Sequence, residues 1–171
     1  MKHLIFILTI ALFATSCHEN TSPCPGSSCA KLNGKKWKGA ARGDVYDNGL
    51  LILDLPKPLK KEVCAIEQYA QWFTIQIRYS VPQIYVINAS CATSCARFDI
   101  LEGGDVTANT YTPINSPENT VNITHYDSVT NEIKGTFRIT FAKDLNQQQL
   151  NQAPDTLRFT EGEFETVLEK K

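Results

Sequence analysis

Cysteine is the residue type with the widest chemistry in this chain, which holds six: Cys17, Cys24, Cys29, Cys64, Cys91 and Cys95. Cys17 directly follows Ala14, Thr15 and Ser16, small residues of the kind a signal peptidase accepts before its cut. A cysteine that becomes the first mature residue is the acceptor for acyl chains in bacterial lipoproteins, although their pattern prefers Leu or Val where Ala14 stands. Lipidation of Cys17 leaves five thiols, and export to an oxidising compartment makes disulfides their default state. Five is odd, so one thiol is expected to stay over, and the pairing of Cys24, Cys29, Cys64, Cys91 and Cys95 is open. Cys91 and Cys95 are separated by Ala92, Thr93 and Ser94, which fits neither the C-x-x-C redox motif nor a paired zinc spacing. In an extended strand they would lie about 13 Å apart, so a bridge between them requires a turn. Pro25-Gly26 supplies such a turn between Cys24 and Cys29.

Acid–base and nucleophilic chemistry have fewer candidates. After signal removal the histidines are His18 and His125. No G-x-S-x-G, H-E-x-x-H, P-loop or dinucleotide fingerprint is present. Glu102, Asp105, Glu161, Glu163 and Glu165 offer carboxylates for glycoside hydrolysis, which needs two acids across a cleft and no linear motif. For recognition, Trp72, Thr74, Gln76 and Arg78 share one face of an alternating segment. An aromatic ring beside hydrogen-bonding groups and a guanidinium suits glycan or protein contacts. The sequence calls for no metal and no cofactor.

The elements that must position these residues begin at the N-terminus. Lys2 and His3 precede an apolar run over residues 4–13, broken only by Thr9. That run falls well short of the ~20 residues a membrane-spanning helix needs. Residues 1–17 thus read as a lipoprotein signal, residues 18–30 as a flexible tether and residues 31–171 as a single β-rich domain. Without Lys2 the charge stands at 16 basic against 18 acidic residues, a balance with no basic excess to recruit nucleic acid.

Within the domain, Asn33-Gly34 before Trp37 and Asp47-Asn48-Gly49 mark hairpin turns. The apolar run at residues 50–55 lacks alternation and predicts a buried strand. Residues 59–70 place Leu59, Val63, Ile66 and Ala70 on one helical face, predicting one short helix near 59–70. Phe73, Ile75, Ile77 and Tyr79 then alternate with polar residues as in a half-buried strand. Two further strands are expected near residues 84–88 and 96–101, the second closed by a turn at residues 102–105. Val121, Ile123 and His125 share a face of the next. Ile133, Gly135, Phe137, Ile139 and Phe141 line one face of a long strand, and Glu161-Gly162 predicts a final hairpin. About eight to ten short strands separated by turn signals predict an all-β protein, an antiparallel β-sandwich or barrel.

Several of these motifs occur together elsewhere. Asn33-Gly34 with Trp37, then residues 122–124 with Tyr126-Asp127, then Ile133-Lys134-Gly135-Thr136-Phe137, and last Gly162 with Phe164 give the pattern N-G-x-x-W, I-T-x-Y-D, I-x-G-T-F and G-x-F. This pattern resembles small Gram-negative bacterial lipoproteins that carry a β-rich C-terminal domain of unknown function. The resemblance covers about a third of the domain by motif and departs from it in the cysteine-bearing middle. It implies location and architecture, and no reaction. Together with the residues above, it leads to the expectation of an exported protein lipid-anchored to the membrane, the outer membrane first. The expected role is a non-catalytic binding or structural module with a glycan or an envelope protein as partner. A carboxylate-dependent glycoside hydrolase and a small disulfide-bonded protease inhibitor using residues 90–96 are the alternatives.

Overall fold

The computed structural model describes residues 26–58, 69–80, 82–91, 93–103, 106–146 and 153–171. Secondary structure there is β-strand, with no helix among the described residues. β1 (Ser27–Leu32) and β2 (Lys35–Ala40) form a hairpin around Asn33-Gly34, both with positive φ, 48° and 77°. That is the backbone an Asn-Gly two-residue turn favours. β3 (Arg42–Val45) and β4 (Leu50–Asp54) form the second hairpin, turning at Gly49 with φ 76°. The short β5 (Lys57–Pro58) and the long β6 (Tyr69–Arg78) follow, then β7 (Ile84–Val86), β8 (Ser94–Glu102) and β9 (Val106–Pro113). β10 (Thr120–Asp127), β11 (Glu132–Lys143) and β12 (Thr156–Lys170) complete the chain.

Neighbouring strands pair in a closed circuit, β12–β3–β4–β6–β8–β9–β11 and back to β12. Closure removes the free edges that an open sheet would expose. It depends on one short parallel pairing, Leu168–Lys170 of β12 beside Gly43–Val45 of β3. Gly43 allows it, because a side chain there would run into Leu168. β1 and β2 extend the sheet beyond β12, and β10 and β7 extend it beyond β11. The outer edge strand β2 exposes Lys35, Lys36 and Lys38, charges that discourage edge-to-edge association.

The inward residues are mostly aromatic and branched aliphatic. Phe73, Ile75 and Ile77 of β6 are fully buried, as are Phe98 of β8, Ile133, Ile139 and Phe141 of β11, and Phe159 of β12. Phe159 is the hub. Its ring centroid lies 5.4 Å from Trp37, 5.0 Å from Phe73, 5.3 Å from Phe98, 6.1 Å from Phe137 and 6.0 Å from Phe141.

Several expectations need correction. The all-β, barrel-like architecture is as expected, but the sheet has twelve strands rather than about eight to ten and is mixed, since β12 and β3 run parallel. The fold begins before residue 31, because residues 27–30 of the expected tether pair with β2 and β12. Tyr69 and Ala70, the end of the expected helix, open β6; residues 59–68 lie outside the described residues. The run at residues 50–55 does alternate: Leu51, Leu53 and Leu55 are buried, while Leu50, Ile52 and Asp54 are partly exposed. Glu161-Gly162 is no hairpin. β12 continues through it as one strand with a bulge, where Glu161 takes φ 51° and Thr160-Glu161 together oppose Arg138. Gly162 is needed at that point because a Cβ would lie 2.6 Å from the Phe137 ring. A second bulge, between Ile123 and His125 of β10, turns His125 outward although it was expected on the face of Val121 and Ile123.

Two buried asparagines differ in their partners. Asn119 donates from Nδ2 to the Ile114 and Thr140 carbonyls and accepts the Thr140 N–H at 2.9 Å, tying the loop before β10 to β11. Asn109, on the inward set of β9 with Tyr111 and 1% exposed, has no hydrogen-bond partner for either amide atom among the described residues. Replacing it with a similar-sized apolar side chain removes a desolvated amide, so Asn109→Leu should stabilise by about 1–3 kcal/mol in denaturant titration. Destabilisation would show that the amide is held by a partner in solution. Phe159→Ala should cost about 3–5 kcal/mol through transfer and cavity terms. Arg138→Ala, on the exposed face of β11, should stay within about 0.5 kcal/mol. Equal losses would refute the inward–outward assignment.

Candidate functional site

Two outer surfaces gather polar side chains. The first lies on β4, β6, β8 and β9, whose register places Asp54 beside Thr74, Thr74 beside Arg97, Trp72 beside Asp99, and Asp99 beside Thr110. Trp72 donates its Nε1–H to Asp54 Oδ1 and Thr74 Oγ1, both at 3.1 Å. Thr74 donates its hydroxyl to the same Asp54 oxygen at 2.6 Å. These bonds fix the indole over the strand pair, where it is half-buried. Oδ2 of Asp54 has no hydrogen-bond partner among the described residues.

One strand over, Arg97 donates Nε–H to Asp99 Oδ2 at 2.8 Å and Oδ1 at 3.0 Å, and Nη2–H to Thr110 Oγ1 at 3.2 Å. Thr110 in turn donates to Asp99 Oδ1 at 2.7 Å. The Asp99 side chain is 13% exposed and the Arg97 side chain 53%. A nearly buried carboxylate and a buried hydroxyl thus hold a guanidinium whose outer edge faces water. Such a fork is preorganised for donating to oxygen acceptors.

The expected recognition face is therefore split. Trp72 and Thr74 stand together on Asp54. Gln76 lies over the disulfide, its Oε1 3.8 Å from Cys95 Sγ. Arg78 is exposed beyond it. Asp54, Arg97, Asp99 and Thr110 escaped the sequence reading. Arg97 and Asp99 do sit two apart in an apolar-alternating segment, the one local sign that they share an outward face.

The second surface is an open groove of about 200 Å³ on β1, β10, β11 and β12, whose lining includes Ser27, Thr124, Lys134, Thr136, Glu163 and Glu165. Lys134 Nζ stands 2.7 Å from Glu132 and 3.1 Å from Glu165. The groove brings Glu163 and Glu165 together, as the hydrolase reading requires. However, Glu163 is exposed and Glu165 is held by Lys134, whereas a glycosidase's general acid works from apolar surroundings. Glu161 pairs with Lys31 at 2.8 Å, Glu102 is exposed at the end of β8, and Asp105 lies outside the described residues.

Cys91 and Cys95 form a disulfide, with their Cα atoms 4.8 Å apart across the turn that leads into β8. Cys29 is also disulfide-bonded, and no described cysteine is free. Cys17, Cys24 and Cys64 lie outside the described residues. Of the proposed inhibitor loop, Ser94, Cys95 and Ala96 are buried strand residues, which leaves little to project into a protease. Among the described residues no three His, Cys, Asp or Glu side chains are placed to hold a metal ion, and no helix is long and apolar enough to cross a membrane.

No family model, curated protein or solved structure matches this chain.

The groove's ion cluster has a defined pH signature. A hydrogen bond from the Lys134 ammonium holds Glu132 below the usual carboxylate range, and Glu132 and Glu165 raise Lys134. The depressed Glu132 contributes stability above its unfolded pKa and loses it as pH falls through the folded one. Raised Lys134 contributes below its unfolded pKa and loses it as pH rises through the folded one. NMR titration should find Glu132 titrating below an ordinary glutamate, and Lys134→Met should move it back up. An unchanged midpoint in the variant would show that the bridge does not persist in solution.

Proposed function

We propose that this protein is an exported, lipid-anchored module of the cell envelope that binds rather than turns over its partner. The observation that carries the reading is the outer face of β6 and β8. There a part-buried indole and a half-exposed guanidinium are fixed by Asp54, Thr74, Asp99 and Thr110. This arrangement supplies a stacking surface, donors and acceptors. The resemblance to small Gram-negative lipoproteins supports the same reading. Its Asn33-Gly34 motif forms a hairpin turn, and Phe137, Gly162 and Phe164 lie in the packed core. The signal-like residues 1–17 and Cys17 support an anchor in the outer membrane, and the near-neutral charge argues against nucleic acid.

A second reading rests on the groove, which holds Glu163 and Glu165 beside Lys134. Turnover of an envelope polysaccharide, lost in the Glu163→Gln, Glu165→Gln double variant, would decide for a hydrolase.

The test of the main reading is direct. Mass spectrometry of the mature protein should find an acylated N-terminal peptide beginning at Cys17, and fractionation should place it with the membranes. A soluble product starting at unmodified Cys17 would overturn the anchor.

A further inference from the structure

We infer that the surface around Trp72, Asp54 and Arg97 is a subsite for an uncharged glycan, an inference that rests on the binding-module reading above. The first ground is what each group offers. Pyranose rings present apolar C–H faces and equatorial hydroxyls; the former pack on indole rings, the latter take and give hydrogen bonds. Trp72 is part-buried with its Nε1–H committed to Asp54 and Thr74, so the ring is held in one orientation before any ligand arrives. Beside it, Asp54 Oδ2 can accept from a hydroxyl, and the outer N–H groups of Arg97 can donate to hydroxyl oxygens.

The second ground is rigidity. An exposed Arg–Asp pair adds little stability, because its attraction is screened and its side chains lose entropy. Here Asp99 is nearly buried and Thr110 is 2% exposed, yet both serve to aim a guanidinium that remains half in water. Holding a donor fork in place lowers the ordering cost at the moment of binding.

Third, the charges select among glycans. Arg97 is matched by Asp99, and Asp54 adds a second carboxylate under Trp72. Beside the indole, one guanidinium against the two carboxylates of Asp99 and Asp54 leaves no excess positive charge at that point to attract uronates, sulfated sugars or phosphate. The extent is also informative. Asp54 and Arg97 flank Thr74 on adjacent strands, which separates their backbones by roughly 10 Å at two strand spacings. That span suits an oligosaccharide better than a single hexose.

The full-length lipidated protein in detergent micelles should be applied to an array of neutral and acidic oligosaccharides, followed by calorimetric titration of the best neutral binder. Trp72→Ala and Arg97→Lys should each lower affinity at least tenfold, with Trp72→Phe restoring most of the loss. Arg97→Lys keeps the charge opposite Asp99 but loses the fork, so it remains informative if Trp72→Ala fails to fold. Thermal unfolding of each variant checks that it does fold. Absence of glycan binding, preference for acidic glycans, or folded variants that bind like the parent would overturn the inference. An acylated, membrane-bound protein with no glycan binding removes only this subsite. A soluble, unacylated protein with Trp72-dependent binding removes only the anchored reading.

Discussion

The structure depends on a ring cluster centred on Phe159. Five aromatic side chains meet this one ring, from β2, β6, β8 and, twice, β11. Phe73 adds edge contacts to Phe98, Phe137 and Phe141 at 6.1, 5.3 and 5.5 Å. A closed barrel needs side chains large enough to fill its axis from opposite walls. Here five phenylalanine rings from the circuit's strands are joined by Trp37 of β2 and, against Phe98, by Tyr111 of β9, with tilted and edge-on contacts that suit their quadrupoles. The glycines belong to the same solution. A Cβ at Gly135 would lie 2.5 Å from the Phe164 ring, and one at Gly162 would strike Phe137, so the walls thin where the rings are thickest.

The bulges follow from that packing. Leu157 and Phe159 point inward at odd positions of β12, while Phe164, Thr166 and Leu168 do so at even ones. One extra residue at Glu161 makes the change of parity possible. Without it, a strand of this length would have to turn its second apolar set to water. The bulge also bends the strand, and its far end reaches β3 in the parallel pairing that closes the circuit. The shift in β10 does the converse for a polar group, since it keeps Ile123 buried and releases His125.

This explains what could be read from the chain and what could not. The alternation of Ile133, Gly135, Phe137, Ile139 and Phe141 is local, so β11 and its buried face were legible. Asn33-Gly34 set its own turn for the same reason. A bulge at Glu161-Gly162 and a two-residue turn there share one local signature, positive φ with a glycine. Only the Phe137 ring above Gly162 separates them. The parallel closure joins residues 168–170 to residues 43–45, a pairing no window of sequence contains. The polar outer face of β4, β6 and β8 was half legible: Trp72 and Thr74 through alternation on one strand, Asp54 and Arg97 only once β4 and β8 were in register beside it.

Register also explains why the polar cluster lies where it does. β6 sits between β4 and β8, and its inward residues Phe73, Ile75 and Ile77 are among the most deeply buried in the protein. The outward residues of such a strand are carried on a backbone braced from both sides and from within. Side chains placed there inherit low mobility, which edge strands such as β2 or β7 cannot give them. Asp99 and Thr110 then convert that backbone rigidity into a fixed guanidinium, and Asp54 and Thr74 do the same for the indole. Polar groups with partners, on an interior strand of an aromatic-filled barrel, are poorly explained as stabilising features. Surface pairs contribute little, and the core already supplies the dominant driving force. Their placement is what the binding role proposed above would require, a surface kept in shape before its partner arrives.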